Sequence, residues 1–100
     1  MNPQPKQKRL RDKKYLEWLR SLWCCNCYRA GSENVQVVAH HIRIGTNGGT
    51  GIKPGDNHCV PLCVDCHADL HQIGEATFWE NAAKNPHEVS NQFWRRYNKH

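Results

Sequence analysis

Long apolar runs are missing from this chain of 100 residues. Hydrophobic residues make up 38% of it and the mean hydropathy is −0.85, so no stretch approaches the roughly 20 apolar residues that a transmembrane helix needs. The first residues also lack the apolar segment of a signal peptide. The composition therefore predicts a cytoplasmic protein that has no membrane partner.

Acidic residues are also scarce, because nine of them stand against 14 lysines and arginines, for a formal net charge of +5. A basic balance on a small chain favours a polyanionic partner, most simply DNA. Half of the basic residues precede Ser21, and a smaller basic cluster lies near the other end. The candidate nucleic-acid-binding residues are Lys8, Arg9, Arg11, Lys13, Lys14, Arg20, Arg95 and Arg96.

The low apolar content predicts a thin core, for which a bound metal is a common reinforcement. Six cysteines in a cytoplasmic chain argue against disulfides, and two Cys-x-x-Cys pairs argue for zinc. The expected ligands of one structural zinc are Cys24, Cys27, Cys63 and Cys66. Cys25 and Cys59 are interpreted as small buried residues, although Cys25 is an alternative to Cys24 with shorter spacing to its partner.

Histidines lie close to both ends of this cysteine pattern. His67 and His71 are four residues apart on a predicted helix, which suits two ligands of one metal. His40 or His41, at the end of a predicted strand, supplies a third ligand, and the other histidine of that pair then faces a substrate as a base. An open metal site, a base and basic helices are the parts needed to hydrolyse a phosphodiester.

We predict a disordered tail over residues 1–7 and a single domain over residues 8–100, with the motif core at about 24–79. Hydrophobic spacing and turn residues predict helices at 8–22, 64–73, 75–84 and 86–97, the last capped by Asn85. Strands are predicted at 35–40 and 57–61, joined by a glycine-rich connection. Two strands followed by a helix give a ββα unit.

The segment from His40-His41 to Val60-Pro61-Leu62-Cys63-Val64-Asp65-Cys66-His67-Ala68-Asp69-Leu70-His71 resembles the HNH, or ββα-metal, endonucleases with a four-cysteine zinc site. Beyond it, Gly49 to Asp56 and Leu70 to Trp79 resemble small HNH proteins of phages and prophages, and the phage recombination-enhancement nucleases are the expected relatives. The implied fold is α+β, a small treble-clef-like ββα-metal core stapled by zinc and flanked by N- and C-terminal helices.

The resemblance implies a DNA endonuclease in which His41 is the general base and His40, His67 and His71 hold a catalytic divalent metal, either Mg²⁺, Mn²⁺, Ni²⁺ or Zn²⁺. It places the protein in the cytoplasm of a bacterial host, with a recombination protein as a further candidate partner. His58 stands where the family usually has asparagine. It either orients the His41 segment or adds a ligand, or does neither, and Asp56 is a further catalytic candidate.

Two other functions are compatible with the same residues. One is a zinc-stabilised DNA-binding module without catalysis, which has no need for four histidines together. The other is a protein-interaction module of a phage recombination or packaging machine, which predicts weak binding to DNA with little salt dependence.

Overall fold

Two strands, four α-helices and one 3₁₀ turn make up the regular structure in the computed structural model, which describes residues 10–29, 35–45 and 54–99. In chain order they are α1 (Lys13–Arg20), β1 (Val37–His41), the 3₁₀ turn (Asp56–His58), β2 (Cys59–Cys63), α2 (Val64–Ile73), α3 (Glu75–Ala82) and α4 (Pro86–Asn98). The predicted α+β class is confirmed. Several expectations concern residues outside the described ranges: the tail at 1–7, Lys8 and Arg9, and most of the glycine-rich connection.

None of the helices in the described ranges has the length and apolar character required to cross a lipid bilayer.

The sheet is an antiparallel pair in which Val37 lies opposite Cys63 and His41 lies opposite Cys59. All five residues of β2 are buried, and α2 begins at the next residue, so the predicted ββα order is present. This arrangement places the histidine end of β1 beside the start of β2. Because side chains alternate along a strand, His40 and His41 point to opposite sides of the sheet.

The predicted N-terminal helix is too long, because α1 covers only Lys13–Arg20. Asp12 is its N-cap, and its Oδ1 accepts a hydrogen bond from the Tyr15 N–H at 3.1 Å. The residues before the cap pair with a distant segment: the Asp56 N–H donates to the Leu10 carbonyl, and the Asp12 N–H donates to Asp56 Oδ2. These tertiary hydrogen bonds hold residues 10–12 in an extended conformation, although the sequence pattern predicts that the helix includes them.

Both strands begin two residues later than predicted, at residues 37 and 59 instead of 35 and 57. The 3₁₀ turn occupies the predicted start of the second strand, since the His58 N–H donates to the Gly55 carbonyl. Because β2 is buried along its whole length, it has no alternation of polar and apolar residues to mark its ends.

The helices after β2 agree better with the sequence. α2 has the predicted bounds, and it ends at Gly74, whose φ of +95° favours glycine. α3 is two residues shorter than predicted, because Ala83 takes a left-handed conformation. α4 begins as predicted, with Asn85 Oδ1 accepting from two N–H groups of the first turn, and it ends one residue later than expected.

The core has two parts, one on each side of the sheet. The first contains Cys24, Cys25, Cys63 and Cys66 together with apolar residues of β2, α2 and α3, including Leu62, Phe78 and Trp79. The second packs Tyr15 and Leu19 of α1 against Cys59, with aromatic residues of α4 around them. The helices at the two chain ends are therefore packed against each other beside the ββα unit.

Candidate functional site

The four expected zinc ligands lie together. The Sγ atoms of Cys24, Cys27, Cys63 and Cys66 are all within 4.8 Å of one another. Cys24 belongs to this group and Cys25 is buried outside it, where burial raises the pKa of the Cys25 thiol to about 12. Cys25 therefore remains a neutral thiol next to the cluster.

The two cysteine turns have the same local geometry. The Cys27 N–H donates to Cys24 Sγ and the Cys66 N–H donates to Cys63 Sγ, each at 3.4 Å. The Sγ atoms of Cys27 and Cys63 are 3.6 Å apart. Zinc–sulfur bonds of about 2.3 Å in a tetrahedron separate two sulfurs by about 3.8 Å. The donor set and its spacing therefore fit one tetrahedral metal ion such as zinc.

Arg29 adds positive charge to this cluster. Its Nε donates to Cys27 Sγ at 3.3 Å, and its Nη2 donates to Cys63 Sγ at 3.5 Å and to Asp65 Oδ2 at 2.9 Å. Partial burial opposes ionisation of Cys27, but the hydrogen bonds from Arg29 lower the pKa of this thiol to about 6. A thiolate is the form that binds a metal, so Arg29 favours the ligand state.

The three histidines expected to bind a second metal also converge. Nitrogen atoms of His40, His67 and His71 lie within 4.8 Å of one another. The Nε2 atoms of His67 and His71 are 3.1 Å apart. Two nitrogens bound to one tetrahedral zinc by bonds of about 2.1 Å are roughly 3.4 Å apart, so the observed distance is close to that of a ligand pair. Burial, with the neighbouring charges of His40 and His71, lowers the pKa of His67. A neutral imidazole is the form that binds a metal.

Glu75 orients the histidine from the strand. His40 is 6% exposed, and its Nε2–H donates to Glu75 Oε2 at 2.7 Å. Burial opposes ionisation of this carboxyl, but the bonds from His40 and from the Arg43 N–H lower its pKa. Because the carboxylate accepts a hydrogen bond from Nε2–H, the lone pair of the neutral His40 ring lies on Nδ1. A carboxylate behind a histidine is the usual support of a metal-binding imidazole.

His41 has an equivalent partner on the opposite side of the sheet. Its Nε2–H donates to Asp56 Oδ1 at 2.8 Å, and Asp56 is only 2% exposed. Burial opposes ionisation of Asp56, but hydrogen bonds from His41 and the Asp12 N–H, with the charge of Arg11, lower its pKa. The same tautomer argument leaves the lone pair of His41 on Nδ1. From the sequence, Asp56 is a weaker candidate than the histidines, but in the structure Asp56 is the residue that fixes the His41 ring.

His58 lies apart from both groups. Its ring is 6.3 Å from that of His87, and burial together with the His87 charge lowers its pKa. Its main chain contacts the His41 segment, since the His58 carbonyl accepts from the Ile42 N–H at 2.9 Å. Among the described residues, no nitrogen of His58 belongs to the three-histidine group. Of the alternatives for His58, contact with the His41 segment is present among the described residues as this main-chain hydrogen bond.

The basic residues lie on two helices and the segment before them. Lys13, Lys14 and Arg20 of α1 and Arg95 and Arg96 of α4 are exposed. Arg11 instead donates to the Pro54 carbonyl at 2.7 Å and lies 3.6 Å from Asp56, so part of its charge is used inside the protein. Arg96 also lies over the rings of Trp18 and Phe93, at 5.6 Å and 5.5 Å from their centres.

Sequence reasoning missed the partners that support the site: Glu75, Arg29, and Asn26, whose side chain donates to Cys66 Sγ at 3.3 Å. The contacts of Glu75 with His40, of Arg29 with Cys63 and of Asn26 with Cys66 join residues that are 35, 34 and 40 positions apart in the chain. No local pattern signals such a contact.

A family described as "Protein of unknown function (DUF968)" matches residues 2–95 of the chain. No curated protein and no solved structure matches it.

Proposed function

This chain belongs to the DUF968 family of proteins of unknown function, and we propose that it is a metal-dependent DNA endonuclease of the HNH type. One observation carries the proposal. Three imidazoles converge at one end of the sheet, and the next residue along β1 is a histidine held by a buried carboxylate. A DNA-binding module without catalysis has no need of this combination.

The three-histidine group is the proposed site of the catalytic metal. His67 and His71 come from adjacent turns of α2, and His40 comes from β1 with its Nε2–H directed to Glu75. Imidazole ligands suit transition metals such as Ni²⁺ and Zn²⁺, and Mg²⁺ and Mn²⁺ remain in the proposal through the resemblance. A divalent ion bound there supplies Lewis acidity toward a phosphodiester oxygen. Three protein ligands leave coordination positions for water and substrate.

His41 is the proposed general base. Its Nδ1 carries the lone pair that accepts a proton from the attacking water, because Nε2–H donates to Asp56. The ionised Asp56 carboxylate also stabilises the imidazolium that results, as the aspartate of a Ser-His-Asp triad does. Asp56 is a positioning residue in this proposal, because it acts through His41.

The proposed zinc at the four cysteines is structural. Four protein thiolates complete a tetrahedral ion and leave no position for substrate. Its ligands include neither His40 nor the α2 histidines, so the two metals are independent.

The test is nicking of supercoiled plasmid by purified protein with Mg²⁺, Mn²⁺, Ni²⁺ or Zn²⁺. We expect His41→Ala to lose roughly 100-fold to 10,000-fold in rate while retaining metal, as removal of a general base does. His67→Ala should lose activity together with the second metal, and its zinc at the cysteines should remain. Metal content by elemental analysis separates the two variants.

Two further variants sharpen this comparison. Asp56→Asn should reduce the rate less than His41→Ala and change its pH profile, because the imidazole remains but its support is altered. Gln72→Ala, at the exposed position of α2 that follows His71, is the control and should keep the wild-type rate. Wild-type activity that persists in His41→Ala and His67→Ala would contradict the assignment, and no activity with any metal would favour the binding module.

A further inference from the structure

A pocket of about 690 Å³ lies away from both histidine groups, between the first cysteine turn and α4. Its size is in the range of roughly 300–1,000 Å³ that is typical of ligand sites. α4 contributes residues at helical spacing, so one face of that helix forms a wall. Its lining includes Trp23, Tyr28, Lys84, Gln92, Phe93 and Arg96.

Two large aromatic rings at this pocket are exposed. Trp23 is 65% exposed and Tyr28 is 61% exposed, one on each side of the Cys24–Cys27 turn. Single exposed apolar residues are normal on a protein surface, but neighbouring ones on a concave surface mark binding sites. Stacking of a planar ligand is the interaction that such rings offer.

Tyr28 is also held in an unfavourable backbone conformation. Its φ is +66°, and Tyr28 and Ala83 are the two non-glycine residues with positive φ in the described ranges. Glycine adopts this conformation without the steric penalty that tyrosine has. The cysteine turn fixes this conformation, since the Tyr28 N–H donates to the Cys24 carbonyl at 2.9 Å and the Cys24 N–H donates to the Arg29 carbonyl at 2.8 Å. The turn therefore holds the exposed Tyr28 ring in a defined position at the pocket.

The charged groups at the pocket are positive. Lys84 Nζ lies 4.8 Å from the centre of the Tyr28 ring and donates to Tyr28 Oη at 2.9 Å. Arg96 lines the opposite wall on α4, and no carboxylate is present among the described lining residues. Lys84 Nζ also donates to the Cys25 carbonyl, and Arg96 lies 5.5 Å from the centre of the Phe93 ring, so both side chains are held at the pocket by uncharged partners. An anionic ligand with flat apolar parts matches these groups, because it supplies the negative charge that these partners do not.

We propose that this pocket receives an unpaired base of a DNA strand, stacked on Trp23 and Tyr28, with adjacent phosphates facing Lys84 and Arg96. The identification of the ligand as DNA rests on the proposed function. Aromatic stacking with cations beside it is how proteins bind single strands without sequence preference. The substrate class is then DNA that contains an unpaired stretch, such as a single strand, a bulge or a branch.

The experiment is fluorescence anisotropy of a labelled 12-nucleotide single strand and of its duplex, with full-length protein and no added divalent metal. Trp23→Ala should weaken single-strand binding by about 5-fold to 100-fold, and it should change duplex binding by less than about 2-fold. Trp23→Phe should retain most of the affinity, because it retains a ring. Ile73→Ala, which is 45% exposed on α2, is the control for loss of exposed apolar surface.

Tyr28→Gly separates binding from folding. It removes the ring and relieves the positive φ, so the melting temperature should stay the same or rise while single-strand affinity falls. An equal loss on single strand and duplex, or no loss in either aromatic variant, overturns the pocket assignment. Self-association that disappears in Trp23→Ala, with unchanged DNA binding, would assign the pocket to a second copy of the chain.

This test and the plasmid test fail independently. If single-strand binding depends on the two aromatic residues but no metal supports plasmid nicking, the endonuclease proposal is refuted and the pocket proposal stands. Plasmid nicking by a protein whose single-strand affinity is unchanged in the Trp23 and Tyr28 variants would refute the role of the pocket and leave the endonuclease proposal intact.

Discussion

At the residue scale, two adjacent histidines have different surroundings because a strand alternates its sides. His40 and His41 each donate Nε2–H to a carboxylate, Glu75 in one case and Asp56 in the other. Both imidazoles therefore have the lone pair on Nδ1, but on opposite sides of the sheet. One residue step along β1 separates a proposed metal ligand from a proposed base.

His58 offers a residue-scale prediction about pH. Its pKa is lowered in the folded protein by burial and by His87, so the unfolded chain binds the proton more readily. Its contribution to the free energy of unfolding is then fully present above the unfolded pKa of about 6.5 and decreases as pH falls toward the folded pKa. His58→Asn should make stability less dependent on pH between about 7 and 5.5.

Denaturant unfolding of wild type and His58→Asn at several pH values measures this effect. The difference between their slopes should be positive and below about 1.4 kcal/mol per pH unit, the limit for one proton. Parallel curves would mean that His58 has the same proton affinity in both states. Asn91→Ala, on the exposed face of α4, is the control.

At the element scale, α1 has two faces with different uses. Tyr15 and Leu19 are fully buried against Cys59, whereas Lys13, Lys14 and Arg20 are exposed. The buried face fixes the helix, so its cations project from a rigid support. This arrangement suits contact with a phosphate backbone, where backbone contacts position a protein without reading sequence.

If about four cations contact duplex phosphates, log K should fall against log salt with a slope near −3.6. Lys13→Ala with Lys14→Ala should make the slope shallower by about 1.8, because two phosphate contacts are removed. The measurement is duplex affinity from 50 to 200 mM salt.

The control for this prediction is Asn81→Glu with Asn91→Glu, at exposed positions of α3 and α4. It lowers the net charge by the same two units without changing α1. An unchanged slope in the lysine variant would place α1 away from the DNA, and equal effects in both double variants would mean that only the total charge matters.

At the scale of the whole molecule, the four-cysteine group joins two parts of the chain that are distant in sequence. Cys24 and Cys27 follow α1, while Cys63 ends β2 and Cys66 lies in α2. A structural zinc of this kind contributes on the order of 10 kcal/mol to folding in zinc-finger peptides. We expect one tightly held zinc per chain in protein purified without added metal.

Cys63→Ser tests this contribution without removing the helix cap. Cys63 is the N-cap of α2, and serine is also a favourable N-cap residue, so loss of stability should come from loss of the metal. The variant should unfold or lose most of its free energy of unfolding, as measured by circular dichroism with zinc analysis. Cys25→Ala is the matched control outside the metal group, and a normally folded Cys63→Ser protein without zinc would contradict the structural role.

The sequence by itself determined the features that depend on short spacing. The paired cysteines, the i and i+4 histidines, the bounds of α2 and the caps at Gly74 and Asn85 follow from local geometry, in which neighbouring residues already define which groups can meet. The preference for Cys24 over Cys25 also came from spacing, and in the structure it is Cys24 that lies with the other three cysteines.

Only the tertiary structure decided the contacts between distant residues. α1 begins at Lys13 because Asp56 binds the backbone of Leu10 and Asp12, and Asp56 is thereby brought to His41. The pocket beside Trp23 likewise exists because α4 packs next to a cysteine turn that lies about 65 residues earlier. Such contacts depend on how the helices and strands pack against each other. The residues next to a carboxylate or an aromatic ring in the sequence therefore do not reveal whether that side chain is buried or exposed.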